Sequence, residues 1–275
     1  MKPHDAHPVR TEPTPPQALG FVAMVAVLYF AGGILLFASF GEPGIAMAEW
    51  MLLFIPALLF VGWGGFDPTT TLSIRRPRAR ALAGAAVLGA GAIPLGWLLG
   101  WLQSYVLPVP PDLVESLDRL VTANSPGRLA WLVFLLAVTP AVCEEIVFRG
   151  VLLGGTRSLT PFRAIVLNGV VFGLFHVSFE TVVRFLPTAY LGIVIAYAVQ
   201  RTGSLFVGML MHFMNNATIV LVASIPIARE IIADPEAPPP AGLVLLAGML
   251  FAGGLRLLRE AEQGHVTEPN LKGNP

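Results

Sequence analysis

The sequence predicts an all-α integral membrane protein with about eight transmembrane helices and one amphipathic helix at the membrane surface. Of its 275 residues, 55% are hydrophobic and only 12% are charged, and the mean hydropathy is +0.72. Soluble domains carry about 25% charged residues. Apolar runs of about 20 residues, enough to cross a bilayer as a helix, recur along the chain. The net charge is zero, so no nucleic-acid partner is expected.

Three predicted spans precede the amphipathic helix. They run from Ala18 to Phe40, from Ile45 to Phe66 and from Ala81 to Leu102. An arginine-rich loop at residues 75–80 separates the second span from the third. In the third span, Gly96 and Gly100 form a small-xxx-small pair, which is typical of helix packing in membranes.

The segment from Asp112 to Ala123 has a different pattern. Its apolar residues recur with the period of an α-helix, and charged residues fill the positions between them. This pattern predicts an amphipathic helix that lies on the membrane surface. We interpret the helix as a connector in preference to a gate over a site.

Five further spans complete the predicted bundle. They run from Arg128 to about Leu153, from Pro161 to about Ser178, from Pro187 to Val199, from Ser204 to about Ile225, and from Ala241 to Leu258. The sixth span of the chain, from Pro187, is the shortest. We expect residues 18–258 to form one transmembrane domain, flanked by polar tails at residues 1–17 and 259–275. The first tail lacks the basic start of a cleaved signal peptide.

The basic residues predict an orientation. With eight spans, thirteen of the seventeen lysines and arginines fall on the side of the two termini and four fall on the other side. Cytoplasmic loops of membrane proteins carry the excess of basic residues. We therefore expect both termini in the cytoplasm, and a bacterial inner membrane as the compartment.

Three predicted spans carry polar groups at membrane depth: Glu144, Glu145 and Arg149; His176; and His212 with Asn216. A charged side chain at the centre of a bilayer costs at least ~2.5–3.5 kcal/mol, so such groups are functional-site candidates. With a helical rise of about 1.5 Å per residue, they fall at overlapping depths. We therefore expect the groups from the three helices to meet.

Helical spacing assigns partners within this set. Glu145 and Arg149 are four residues apart and can form an ion pair, which leaves Glu144 available for chemistry. A purely structural role for that ion pair is an open alternative. Phe172 shares a helix face with His176, as does His212 with Asn216, so each pair should project together.

These residue types suit hydrolysis of an amide by an activated water. Glu144, in an apolar wall, is the candidate general base, and His176 could help to hold the water. His212 and Asn216 could stabilise an oxyanion. This chemistry requires no cofactor.

Four alternatives stay open. Glu144, His176 and His212 could bind catalytic zinc, although the local His-Glu-x-x-His spacing is absent. Cys143 could be a nucleophile, but nothing in the sequence would activate it, and a buried apolar role is favoured. The ionisable groups could instead belong to a proton-coupled transporter or to a non-catalytic membrane scaffold.

Three motifs carry a family resemblance. Glu-Glu-x-x-x-Arg at residues 144–149, Phe-x-x-x-His at 172–176 and His-x-x-x-Asn at 212–216 resemble those of the CPBP family. This family is the CAAX-protease and bacteriocin-processing group, also called Abi, and includes the type II CAAX prenyl endopeptidases. The resemblance extends over about residues 128–223, the expected catalytic core.

The resemblance implies an eight-helix intramembrane endopeptidase. In this family the first glutamate activates water together with the first histidine, while the second histidine and the asparagine form the oxyanion site. These roles fall on Glu144, His176, His212 and Asn216, with Glu145, Arg149 and Phe172 supporting them. The implied partners are the lipid bilayer and a membrane protein or lipidated peptide as substrate.

Overall fold

The structure, a computed structural model, describes residues 12–178, 181–226 and 237–266, with residue 117 and residues 261–266 described by their backbone alone. Within these ranges the chain is helical and contains no strand. The predicted tails at residues 1–11 and 267–275 lie outside the described residues. The all-α fold class is confirmed.

Nine helices of more than two turns, numbered in chain order within the described part, form the bundle, and a one-turn helix at Pro68–Thr71 follows the second of them. The nine are α1 (Pro15–Phe40), α2 (Glu42–Trp63), α3 (Ala79–Ser104), α4 (Pro111–Val121), α5 (Pro126–Gly155), α6 (Pro161–Phe175), α7 (Phe185–Thr202), α8 (Leu205–Ser224) and α9 (Ala241–Val266). All except α4 and α6 are long and apolar enough to cross a membrane. For α7, the candidate span also includes the 3₁₀ turn at residues 182–184 that precedes the helix. The apolar α6 has 15 residues, about 22 Å of helix.

The fifth span is shorter than predicted and the sixth is longer. Helix α6 ends at Phe175. The ring of the next residue, His176, forms a hydrogen bond with a carbonyl of the last turn, with Nδ1 2.9 Å from the oxygen of Phe172. Helix α7 continues to Thr202, and Gly203 ends it in the left-handed conformation, with φ of 62°. The sixth span is therefore not the shortest one.

The outer ends of α1 and α9 also extend past their predicted bounds. Helix α1 begins at Pro15, because Thr14 and Gln17 form a reciprocal capping box. Helix α9 continues beyond Leu258 to Val266. Glu260, two residues past the predicted end, receives hydrogen bonds from Arg80 at 2.8 Å and from Arg256 at 3.0 Å. These polar contacts hold helical residues that the sequence pattern assigned to a tail.

Glycines set the closest approaches between helices, but not all at the predicted positions. The pair Gly96 and Gly100 touches only side chains of α7, at distances ordinary for van der Waals contact. The close contact of α3 is with α9, where a Cβ on Gly91 would lie 2.5 Å from a backbone nitrogen. In α6, a Cβ on Gly169 or Gly173 would overlap α7 at 2.3 Å and 2.7 Å.

Helix α5 is the centre of the bundle and the most buried of the candidate spans. It contains two π-helical segments, Phe134–Val138 and Ile146–Leu152, on either side of Thr139–Glu145. Such wider turns occur mostly at functional sites. The segment between them packs against α2 and α8, so groups from three helices reach one place.

Candidate active site

The second glutamate of the pair, Glu145, is completely buried; its Oε1 has two partners, while its Oε2 accepts no hydrogen bond from the described residues. Its Oε1 accepts a hydrogen bond from Nη1 of Arg149 at 2.7 Å, the predicted pairing. The other arm of Arg149 donates to the carbonyl of Gly192 in α7, at 3.2 Å. The guanidinium lies 4.3 Å from the ring centre of Phe172. The ion pair thus links α5 to α6 and α7.

Glu145 also holds the second histidine. Nδ1 of His212 lies 2.9 Å from Oε1 of Glu145, and the imidazole is buried. Gly208, one turn before His212 in α8, makes this contact possible. A Cβ at that position would come within 2.5 Å of Oε2 of Glu145.

The first glutamate, Glu144, faces both histidines. Its Oε2 lies 3.5 Å from Nε2 of His176 and 4.0 Å from Nε2 of His212. This oxygen is buried and accepts no hydrogen bond from any residue that the structure describes. The three groups that the sequence places on separate helices therefore lie within the reach of one bridging water molecule.

The hydrogen bonds at Nδ1 determine how the two imidazoles face Glu144. A carbonyl oxygen only accepts, so the contact of His176 with Phe172 assigns a proton to Nδ1. The carboxylate of Glu145 assigns a proton to Nδ1 of His212 in the same way. Both rings consequently present Nε2 to Glu144. His176 does so from the turn after α6, whereas the sequence predicted a position within the helix.

Asn216 caps an irregular turn of α5. Its Nδ2 donates to the carbonyl of Leu136 at 2.9 Å, and its Oδ1 accepts from Asn215 at 3.0 Å. Leu136 precedes Pro140 by four residues, and a proline has no N–H to offer that carbonyl. One hydrogen of the Asn216 amide is therefore engaged, and the second can serve a ligand in the cavity that Asn216 lines.

A cavity of about 1070 Å³ lies beside these groups. Glu144, His176 and Asn216 line it, together with residues of α1, α2 and the turn before α7. Helix α4 contributes a large part of the remaining wall. Its lining residues are Pro111, Val114, Glu115, Asp118, Leu120 and Val121. The amphipathic helix is thus part of the cavity, which the connector interpretation did not include.

Three polar residues near the site, Glu49, Tyr29 and Asn168, belong to none of the predicted motifs. Glu49 of α2 is buried at 3% exposure, lines the cavity and accepts a hydrogen bond from the Tyr29 hydroxyl at 2.9 Å. Asn168 of α6 is buried and donates to the carbonyl of Phe148 at 2.7 Å. Each lies in an apolar run, and that isolation is the signal that could have drawn attention to it.

The geometry does not assemble a metal site from the predicted zinc ligands. Across the described residues, no group of three or more histidine, cysteine, aspartate or glutamate side chains could hold a metal ion. Cys143 is buried, as expected, and is not one of the cavity-lining residues. What the site offers is a carboxylate between two imidazoles at the base of a cavity.

Comparison with known proteins places the site within a family segment. Residues 126–218 match the family model of the type II CAAX prenyl endopeptidase Rce1-like proteins. No curated protein and no solved structure matches the chain. The match supports the general assignment of an intramembrane endopeptidase of the CAAX type, without a particular mechanism. The match agrees with the resemblance that the three motifs carry, and the chain is similar to that family over the segment that contains every candidate catalytic residue.

Proposed function

We propose that the protein is an intramembrane endopeptidase that hydrolyses a peptide bond of a membrane protein or lipidated peptide. The observation that carries this proposal is the position of Glu144, with its unpartnered Oε2 3.5 Å and 4.0 Å from the two imidazoles. A carboxylate so placed can orient a water molecule and accept its proton. The adjoining cavity gives a peptide segment access to that water.

Each of the four candidate catalytic residues has its own role in the proposed reaction. Glu144 takes a proton from the water as its oxygen bonds to the peptide carbonyl carbon, and Nε2 of His176 accepts a hydrogen bond from the same water. The carbonyl electron pair moves to oxygen, where the free N–H of Asn216 can stabilise it. His212 can donate there when both ring nitrogens carry protons, a state for which Glu145 supplies the carboxylate partner. The C–N bond then breaks, and the leaving amine gains a proton.

Zinc chemistry with Glu144, His176 and His212 is the alternative to water activated by glutamate alone. We prefer the glutamate mechanism, because no group of three or more histidine, cysteine, aspartate or glutamate side chains among the described residues has a geometry that could hold a metal ion. Metal analysis of the purified protein, together with activity in a chelator, separates the two mechanisms. Stoichiometric zinc that is lost together with activity would support the alternative.

We also propose that the cavity opens away from the cytoplasm. Its lining residues come from helix ends on the side opposite to the termini, such as the start of α2, the end of α6 and the end of α8. The arginine-rich loop at residues 75–80 lies on the side of the termini, as do Arg157, Arg163 and Arg201. The excess of basic residues is typical of the cytoplasmic side. Substrate would then approach from the other face or from the lipid.

Comparison of protein termini across the membrane proteome tests the proposed activity. We expect a set of new termini in cells that contain the chain and no such termini in cells that lack it. Restoring the chain as Glu144→Gln should fail to bring them back, since an amide cannot accept the proton. Glu42→Gln is the matched control, because Glu42 pairs with Arg128 and does not line the cavity. Identical termini in all four cell lines would overturn the proposal.

A further inference from the structure

A second buried carboxyl group lies in the cavity wall, and the proposed reaction does not use it. Glu49 of α2 is 3% exposed, and a π-helical segment begins at this residue. Its Oε1 accepts the hydrogen bond from Tyr29, while its Oε2 is buried and accepts none from the described residues. Glu49 lies outside residues 126–218, so the family match assigns it no role.

Several ionisable groups lie around Glu49. The cavity that Glu49 lines is also lined by Tyr29 of α1, Glu144 of α5, His176 after α6 and Arg184 before α7. Cys143 of α5 is buried nearby and does not line the cavity. The carboxyl groups of Glu49 and Glu144 interact electrostatically. The other described carboxyl groups that line the cavity are on α4, where Glu115 is exposed and Asp118 is half-buried.

Positive charge does not compensate both carboxylates. Arg149 is engaged by Glu145 and by the carbonyl of Gly192. Arg184, in the turn before α7, lines the cavity and interacts electrostatically with Glu144. Neither oxygen of Glu49 has a cationic partner among the described residues. Two neighbouring carboxylates of which only one interacts with a cation still repel each other in apolar surroundings. A single proton held between the two groups removes that repulsion, as in carboxylate dyads.

We infer that Glu49 is a second acid–base residue of the site, which holds the proton that the leaving amine receives. This inference rests on the proposed peptidase function. In each turnover, one proton of the water passes to Glu144 while the C–O bond forms. As the C–N bond breaks, its electron pair stays on nitrogen, which takes the proton of Glu49. The proton on Glu144 then passes to Glu49, so one water molecule yields one carboxylic acid and one amine.

Substitution of Glu49 by glutamine tests this role. Glutamine keeps the size of the side chain and can still accept from Tyr29, but it holds no transferable proton. On a fluorogenic peptide that spans a cleavage site identified from the termini, we expect kcat to fall by about tenfold or more, with little change in KM. One limb of the pH–rate profile should disappear. Tyr29→Phe should shift that limb with a smaller loss of rate, and Glu42→Gln should change neither.

The possible outcomes separate this inference from the proposed function. If Glu49→Gln keeps the wild-type kcat and pH profile while Glu144→Gln is inactive, the inference fails and the peptidase proposal stands. If Glu49→Gln melts at a lower temperature and loses rate with an unchanged pH profile, Glu49 is structural and the inference again fails. Should Glu49→Gln not fold, an unaltered pH profile in Tyr29→Phe would overturn it. Equal rates for wild type and Glu144→Gln would overturn both proposals.

Discussion

At the scale of single residues, two adjacent glutamates have opposite environments. Successive helical residues point about 100° apart, so one of them can hold an ion pair while its neighbour faces a cavity. Oε1 of Glu145 contacts both Arg149 and His212, whereas Glu144 lines the cavity and its Oε2 faces the two imidazoles. The buried ion pair of Glu145 and Arg149 therefore positions the imidazole of His212, and Glu144 stays available to act on a water molecule.

Asn216 provides a prediction at this scale. Replacement by alanine should remove the proposed oxyanion donor and leave the Leu136 carbonyl unpaired. We expect kcat to fall by about 10²–10³ and the free energy of unfolding to fall by about 1–3 kcal/mol. Kinetics on the fluorogenic peptide and thermal unfolding measure the two effects.

Asn215→Ala is the matched control for Asn216→Ala. It removes only the bond to Oδ1 of Asn216 and should affect the rate far less. Near-normal kcat in Asn216→Ala would show that this residue serves the turn at Pro140 alone.

The sequence predicts that Glu144, His176 and His212 lie close together, because they are ionisable groups at overlapping depths in apolar runs, and the structure brings them together. It does not predict Glu49, because one carboxylate near the start of a span is equally compatible with a position at the membrane interface. Its contact with Tyr29 is set by how α1 packs on α2, which spacing within one helix does not reveal.

At the scale of elements, close approach between helices supports the site. Gly208 of α8 faces Glu145 of α5, and a Cβ there would also lie 2.8 Å from Val199 in α7. Residue types alone predicted helix packing at the pair Gly96 and Gly100 of α3, but close approaches occur at other glycines, such as Gly169 and Gly173 of α6. A glycine permits close contact, but the neighbouring helix decides whether contact occurs.

Gly208→Ala should therefore displace Glu145 and break its contact with His212. We expect loss of most activity and destabilisation by about 1–3 kcal/mol, as is typical of overpacking. Gly248→Ala is the control, because a Cβ at that position of α9 meets no atom within 4 Å. Wild-type stability and rate in Gly208→Ala would contradict the tight contact.

The ends of helices were less predictable than their existence. The hydropathy of residues 161–178 does not show that His176 binds the carbonyl of Phe172 and ends α6 there. Similarly, the amphipathic pattern predicts α4 but not what its faces contact. Both features depend on tertiary structure, and both position groups around the cavity.

At the scale of the whole molecule, most of the basic residues lie on the side of the bundle opposite to the cavity. The chain has one cysteine, Cys143, and it is buried, so introduced cysteines can be labelled without background. We expect an impermeant maleimide to label Ser116→Cys on α4 in intact cells. Thr69→Cys, which is exposed on the side of the termini, should react only after permeabilisation. The reverse pattern would place the cavity on the cytoplasmic side.

The proposed peptidase function depends on the carboxylate of Glu144, which activates the water that cleaves a peptide bond. The most direct measurement is kcat of the purified, reconstituted protein and of its Glu144→Gln variant on the fluorogenic peptide. We expect kcat of the variant to be lower by a factor of about 10²–10⁴, the usual contribution of a general base, and its melting temperature to be unchanged. A variant that folds and cleaves at a near-normal rate would contradict it.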